Sequence, residues 1–289
     1  MNELGINNSK QNIISEKIVD FQWPENKKCA VTISWHVDGE AGPIGADNRN
    51  KNHLGSLSLG AYGISTAIPR ILSIHKSHEV PASFFIPGYT AILHKDIVRA
   101  IDDAGYEIAH HGYYHKNVFE LSEEEENEEF RLGFDALMEI TGKEPKGWSA
   151  PGWGIRQNSI KNMFDLGMIY DCSLMEYDIP YRITMNNRKL VELPISLILD
   201  DYEIFGGWLF PNGGGVNAPA ENAFQIWKEE FDGLREYGGL FSTTFHPCVL
   251  GRPGRLQMLE KLFKYIKTFD DVWWASCGEV AEYVLEKYP

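Results

Sequence analysis

Apolar, strand-like runs alternate with helical ones along this chain, and three of the strand-like runs end directly on histidine or aspartate. Cys29–Trp35 (CAVTISW), Ala82–Ile86 (ASFFI), Glu107–Ala109 and Leu240–Phe245 (LFSTTF) read as short buried strands. Helical periodicity covers about Ile64–Lys76, Ala220–Tyr237, Arg255–Phe269 and Gly278–Lys287. The clearest helix starts at Ser122, where Ser122 and Glu125 form an S-x-x-E capping box and Glu123 to Glu126 put negative charge at the positive end. Phe130, Phe134 and Leu137 share one face of it, Gly142 stops it, and its acidic run reads as a solvated surface. Alternation of this kind implies an α/β fold with parallel strands and helices packed outside, as an open sheet or a barrel. A chain of 289 residues fits one domain, here residues 1–289 with a core at about 29–279 behind a short polar N-terminal extension.

The chemistry sits at the strand ends. His36-Val37-Asp38 follows the first strand, and residues two apart in extended chain project to the same side. His110-His111-Gly112-Tyr113-Tyr114-His115 follows the third run, and His111 and His115 have a spacing that lets two imidazoles reach one ion. His246 closes the last run, where Pro247 ends the strand. Each feature alone is weak, since a lone strand-end histidine is more often a satisfied polar residue. Together they supply one carboxylate and several imidazoles at the end where α/β enzymes assemble their sites, and one Asp with two His leaves coordination positions open. Gly- and Asn-rich Glu40–Gly63 reads as a long loop overhanging that end. His53, His75, His78 and His94 are expected in surface or structural roles, and His110 either supports the neighbouring site residues or, the favoured reading, is structural. Arg252 and Arg255 could hold an anionic or carbonyl-rich substrate or simply serve the loop, and Asp200-Asp201 could line a pocket or cap a turn. No dinucleotide or phosphate-loop fingerprint occurs, and Gly213–Gly215 reads as a loop.

Composition excludes several partners. The balance of 27 basic and 41 acidic side chains gives −14, which disfavours nucleic acid and anionic membranes. No uninterrupted apolar run matches a bilayer span, and the polar N-terminus lacks the apolar core of a secretory signal, so a cytoplasmic address is expected. Cys29, Cys172, Cys248 and Cys277 are far apart and read as free thiols.

YEIAHHGYYH, after PASFFIPG and before the acidic helix, resembles the second motif of the polysaccharide deacetylases, the carbohydrate esterase family 4 with NodB homology. VTISWHVDGE, SAPGW, YDCSLM, LVELPI and FHPCVLGRPGR are similar to the branch that holds intracellular peptidoglycan-deacetylase-like and cyclic imide hydrolase proteins. The resemblance runs from about Cys29 to Glu279. It implies a distorted (β/α)7 barrel with one divalent ion, commonly zinc, on Asp38, His111 and His115. It also implies that His246 protonates the departing nitrogen, that Trp153 of SAPGW walls the substrate, and that the protein is a homo-oligomer.

Two positions depart from the family pattern. The Asp that usually serves as base beside the metal-binding Asp is replaced by His36 and Val37, and Ser149 stands where many members carry an Arg partner. His36 in neutral form is the expected base, although the residue could also be a fourth ligand or a plug. The expected function is metal-dependent hydrolysis of a C–N bond in a small cytosolic amide, imide or N-acetyl compound. A glycan N-deacetylase and a catalytically impaired ligand-binding barrel are the competing readings.

Overall fold

Strands β1 (Asn2–Glu3) and β2 (Ile13–Lys17) precede the first apolar run, which breaks at Ile33 into β3 (Cys29–Thr32) and β4 (Ser34–His36). There follow β5 (Ser83–Ile86), β6 (Glu107–His110), β7 (Gly147–Trp148), β8 (Tyr170–Asp171), β9 (Tyr181–Met185), β10 (Arg188–Glu192), β11 (Leu240–Ser242) and β12 (Val272–Trp274). The structure is a computed structural model that describes residues 2–3, 13–205 and 218–289, so Gly213–Gly215 lies outside the described residues.

The break at Ile33 lets one run serve two sets of neighbours. β3 pairs in parallel with β11 and β12, while β4 pairs in parallel with β5. From β4 the sheet continues in parallel through β5, β6, β7, β8 and β10. Parallel bridges from Trp35 to Phe245 and from Asp200 to Thr244 link β4 towards the segment after β10. The whole is the α/β barrel of the expected type. Every residue of β3, β4 and β5 is buried, which explains why these strands read as continuous apolar runs instead of alternating ones.

Three expectations need correction. The N-terminal extension is not merely polar tail: β2 pairs antiparallel with β9, which itself turns back on β10 through Asn186 and Asn187, both at positive φ. Glu40–Gly63 is largely helical, with α1 (Ala41–Ala46), a 3-10 turn at Asn48–Asn52 and α2 (Leu54–Tyr62), and a π turn then joins α2 to α3 (Ile68–His78). Its glycines allow close approach, as shown below, and do not mark a loop. The acidic helix α4 (Glu123–Thr141) has the expected capping box and left-handed Gly142, but it is not simply a solvated face. Glu126 is fully buried and accepts a hydrogen bond from Arg156 Nε at 2.6 Å, and Glu129 is buried against the second histidine motif. The four cysteines are free thiols. His75 is buried and structural, its Nε2 accepting from Trp35 Nε1 at 2.9 Å.

A buried carboxyl pair, Asp171 against Glu192 across β8 and β10, braces the barrel behind the SAPGW segment. Glu192 Oε1 accepts the N–H groups of Ser173 and Leu174, and the Ser173 hydroxyl accepts from Ala150 N–H while donating to Asp171 Oδ1 at 2.7 Å. Burial, then the Asp171 charge, pushes Glu192 well above the usual carboxylate range. The folded protein therefore keeps a proton that the unfolded chain releases, and stability falls as pH rises from the ordinary glutamate range towards that raised value. Glu192→Gln, which donates from its amide permanently, should remove a slope of about 1.4 kcal/mol per pH unit from urea unfolding measured between pH 5 and 8. An identical slope in both proteins would assign the proton elsewhere.

Candidate active site

Asp38 lies two residues beyond β4, its carbonyl fixed by the Thr90 hydroxyl. His111 lies just beyond β6 and donates Nδ1–H to the Ser149 carbonyl at 2.6 Å. That bond fixes the tautomer and leaves a lone pair on Nε2. His115 reaches the same place through a tight turn in which Gly112 has φ +74° and His115 φ +59°. The turn is held by Glu129 of α4, whose Oε2 accepts the N–H groups of Tyr113 and Tyr114 at 3.0 and 2.8 Å.

Both imidazole Nε2 atoms face Asp38 Oδ1, His111 at 3.5 Å and His115 at 3.6 Å. These separations are long for hydrogen bonds. They suit three ligands of one ion, since atoms about 2.0–2.2 Å from a tetrahedral centre lie roughly 3.3–3.6 Å apart. Asp38 Oδ1 and His111 Nε2 are buried without a hydrogen-bond partner, which a cation between them would supply. Burial lowers His115 to about 4, leaving it neutral as a ligand must be. Burial opposes ionisation of Asp38, but the imidazoles around it, His115 first, favour the anion and hold its pKa below the usual range. The residues fit a divalent ion.

Glycines bring the overlying helices onto this triad. A Cβ on Gly42 would stand 2.9 Å from Asp38 Cβ, one on Gly45 2.2 Å from the Tyr114 carbonyl oxygen, and one on Gly60 2.3 Å from the Gly39 carbonyl oxygen. The segment thus roofs a cavity of about 280 Å³ lined by Gly42, Pro43, Ala46 and Gly60 above the ligand set.

His246 enters this cavity from the far side of β4. Its Nδ1 bonds Asp201 Oδ1 at 2.6 Å, and Asp201 Oδ2 accepts the N–H groups of His246 and Leu250. Nε2 then faces Asp38 Oδ2 at 4.0 Å. Burial alone would lower its pKa, but the Asp201 carboxylate, with Asp38 and Asp200, raises it to about 9. His36 behaves oppositely: burial, then the neighbouring His111 and His246, lower its pKa well below the ordinary histidine value. Its ring lies 4.5 Å from that of His111, 5.4 Å from His246 and 5.8 Å from Trp153, centre to centre. His36 and Trp153 both line the cavity.

Arg252 is not brought in. Among the described residues that line the cavity it does not appear, and its guanidinium lies 3.7 Å over the Tyr62 ring. His110 is structural, as expected, with Nε2 on the Phe130 carbonyl at 2.9 Å. Of the two roles open to Asp200 and Asp201, lining the pocket or capping a turn, the structure gives Asp200 a place in the cavity wall and puts both beside His246. The missed signal was the same as for the histidines: they follow the apolar run Leu193–Leu199 directly.

The carboxylates and imidazoles that converge at these strand ends include a candidate metal triad, the kind of arrangement a hydrolase site needs. The polysaccharide deacetylase sequence profile matches residues 60–170. A crystal structure of a polysaccharide-deacetylase-type protein from Mycobacterium smegmatis is 36% identical, with a TM-score of 0.89 over 92% of this chain and 93% of that one. A peptidoglycan deacetylase of Helicobacter pylori is 28% identical over 91% of this chain and 98% of its own length. The PuuE allantoinase structure, 24% identical, shares the fold with a TM-score of 0.81 over 92% of this chain and 93% of that one. The chain belongs to the polysaccharide deacetylase family, hydrolases acting on non-peptide C–N bonds.

The roof should matter to the ligands beneath it. Gly45→Ala, which forces the Tyr114–His115 backbone to move, should weaken zinc retention at least about tenfold in competition with a chelator, while His111→Ala with His115→Ala should abolish it. Full metal content in the double variant would remove the ligand assignment.

Proposed function

We propose that this hydrolase cleaves the C–N bond of a small amide, imide or N-acetyl compound, with one zinc ion held by Asp38, His111 and His115. The observation that carries the reading is the roofed cavity of about 280 Å³ over those ligands. A compact molecule fits such a space, at the lower end of small-ligand pockets. A divalent ion held there supplies Lewis acidity, acidifying water and polarising a carbonyl.

The chain's own residues divide the proton work. His36, neutral and in the cavity, accepts a proton from attacking water at a ring nitrogen, the role an Asp fills elsewhere in the family. A neutral base needs no cationic partner, in keeping with Ser149, whose carbonyl instead orients His111. His246 is held protonated by Asp201 and donates from Nε2 to the leaving nitrogen, since an amine is a poor leaving group without a proton. Trp153 walls the substrate beside His36. A cytoplasmic homo-oligomer without nucleic-acid or membrane partners completes the proposal, on the family resemblance and the −14 charge.

Two measurements test it. The zinc-loaded protein should release carboxylate or amine from cyclic imides, ureides or simple N-acetyl compounds faster than from chitin oligomers; turnover that climbs with oligomer length favours an open-groove glycan deacetylase. His36→Ala should lose about 10²–10⁴ in turnover with nearly full metal content. Loss of metal instead makes His36 a ligand, and near wild-type turnover passes the base role to Asp200, the cavity carboxyl that burial raises to about 7.

A further inference from the structure

We infer that this site selects amides whose far end is cationic and rejects those whose far end is anionic, with Glu203 at its mouth as the selecting group. The inference rests on the amide-hydrolase reading above and concerns the part of the substrate that does not react.

Among the described residues, no Lys or Arg lines the cavity. Undescribed residues 206–217, which follow Glu203 in the chain, contain neither residue in their sequence. Beyond the metal-ligand Asp38, the charged residues of the lining, histidines apart, are Asp200 and Glu203. Asp200 is committed, its Oδ1 accepting Tyr202 N–H at 2.8 Å and lying 3.9 Å from His246 Nδ1. Glu203, in the short helix Asp201–Phe205, is exposed at the cavity edge, and no hydrogen bond or ion pair to it is found among the described residues.

The arginines that could have offset this charge are turned to other work. Arg252 lies over Tyr62, and Arg255 lies over Phe205 while donating Nη1–H to the Val249 carbonyl at 2.8 Å. At the mouth, away from His246 and the ion site, a substrate carboxylate would meet Glu203, no guanidinium or ammonium among the described lining residues, and the −14 field of the whole chain. An ammonium would meet the Glu203 carboxylate, which has no hydrogen bond or ion pair among the described residues. Rejection of the wrong charge is as much a source of selectivity as attraction of the right one.

A matched series tests this on the zinc-loaded full chain: N-acetylputrescine, N-butylacetamide and 4-acetamidobutanoate share one acetamide and differ in the end group. Wild type should favour the ammonium over the carboxylate in kcat/KM by at least about tenfold, with the neutral compound between. Glu203→Gln should compress that ratio to within about threefold, and Glu203→Lys should invert it. The readout is a ratio within one protein, so a general loss of folding or turnover cancels. An equal preference in wild type, or a ratio that ignores both substitutions, overturns the inference. If other amides or imides are hydrolysed but not these, the three serve as competitive inhibitors and the same ratios apply to Ki. If no amide is hydrolysed, the functional reading fails by itself. Calorimetric titration with butylammonium and butanoate then decides the charge preference, and equal affinities overturn it.

Discussion

A buried carboxylate oxygen and a buried imidazole nitrogen face each other at 3.5 Å without a hydrogen bond, and the rest of the molecule is arranged to hold them there. With Nδ1–H committed to Ser149, the neutral form of His111 has a lone pair at Nε2. Buried polar atoms left unsatisfied cost about 1–3 kcal/mol each, and a cation between these two would remove that cost. The barrel bears that cost at its strand ends, where backbone pairing stops and side chains can converge without breaking the ladder.

Environment gives chemically identical side chains different proton states. His36 and His115 sit among other imidazoles in a buried place and are neutral, whereas His246 sits on a buried carboxylate and keeps its proton. The rings lie a few ångströms apart, so their difference comes from the carboxylates that His246 faces, Asp201 first and then Asp38 and Asp200, against the imidazoles around His36. One cavity thereby holds a base form and an acid form of imidazole side by side, as amide cleavage requires.

Precision is supplied from outside the ligand set. Glu129 on α4 holds the left-handed turn that carries His115, and the carboxyl pair behind β8 holds Ser173 and, through it, the segment that orients His111. Above, helices rich in glycine lie close enough to the Asp38 side chain and to the backbone of Gly39, Tyr114 and His115 that no side chain would fit between. Ser149 contributes to that support through its backbone, its carbonyl accepting the His111 Nδ1–H at 2.6 Å.

The sequence by itself determined the alternating architecture and which strand ends carry Asp38, His111, His115 and His246, because strand burial and strand termination are local and leave an apolar run followed by a polar residue. It also indicated His36 as the odd residue of its motif. It could not tell a roof from a loop over Glu40–Gly63, since glycine reports mobility and close packing with the same letter, and only the facing backbone decides which. Nor could it separate the buried acids of α4 from the solvated ones, find Asp201 under His246, or keep Arg252 out of the cavity. Each of those depends on what a side chain meets from a distant part of the chain: Glu126 meets Arg156, Asp201 meets His246, and Arg252 meets Tyr62. Tertiary structure decided them because the energy of a charge lies in its surroundings and not in its own residue type.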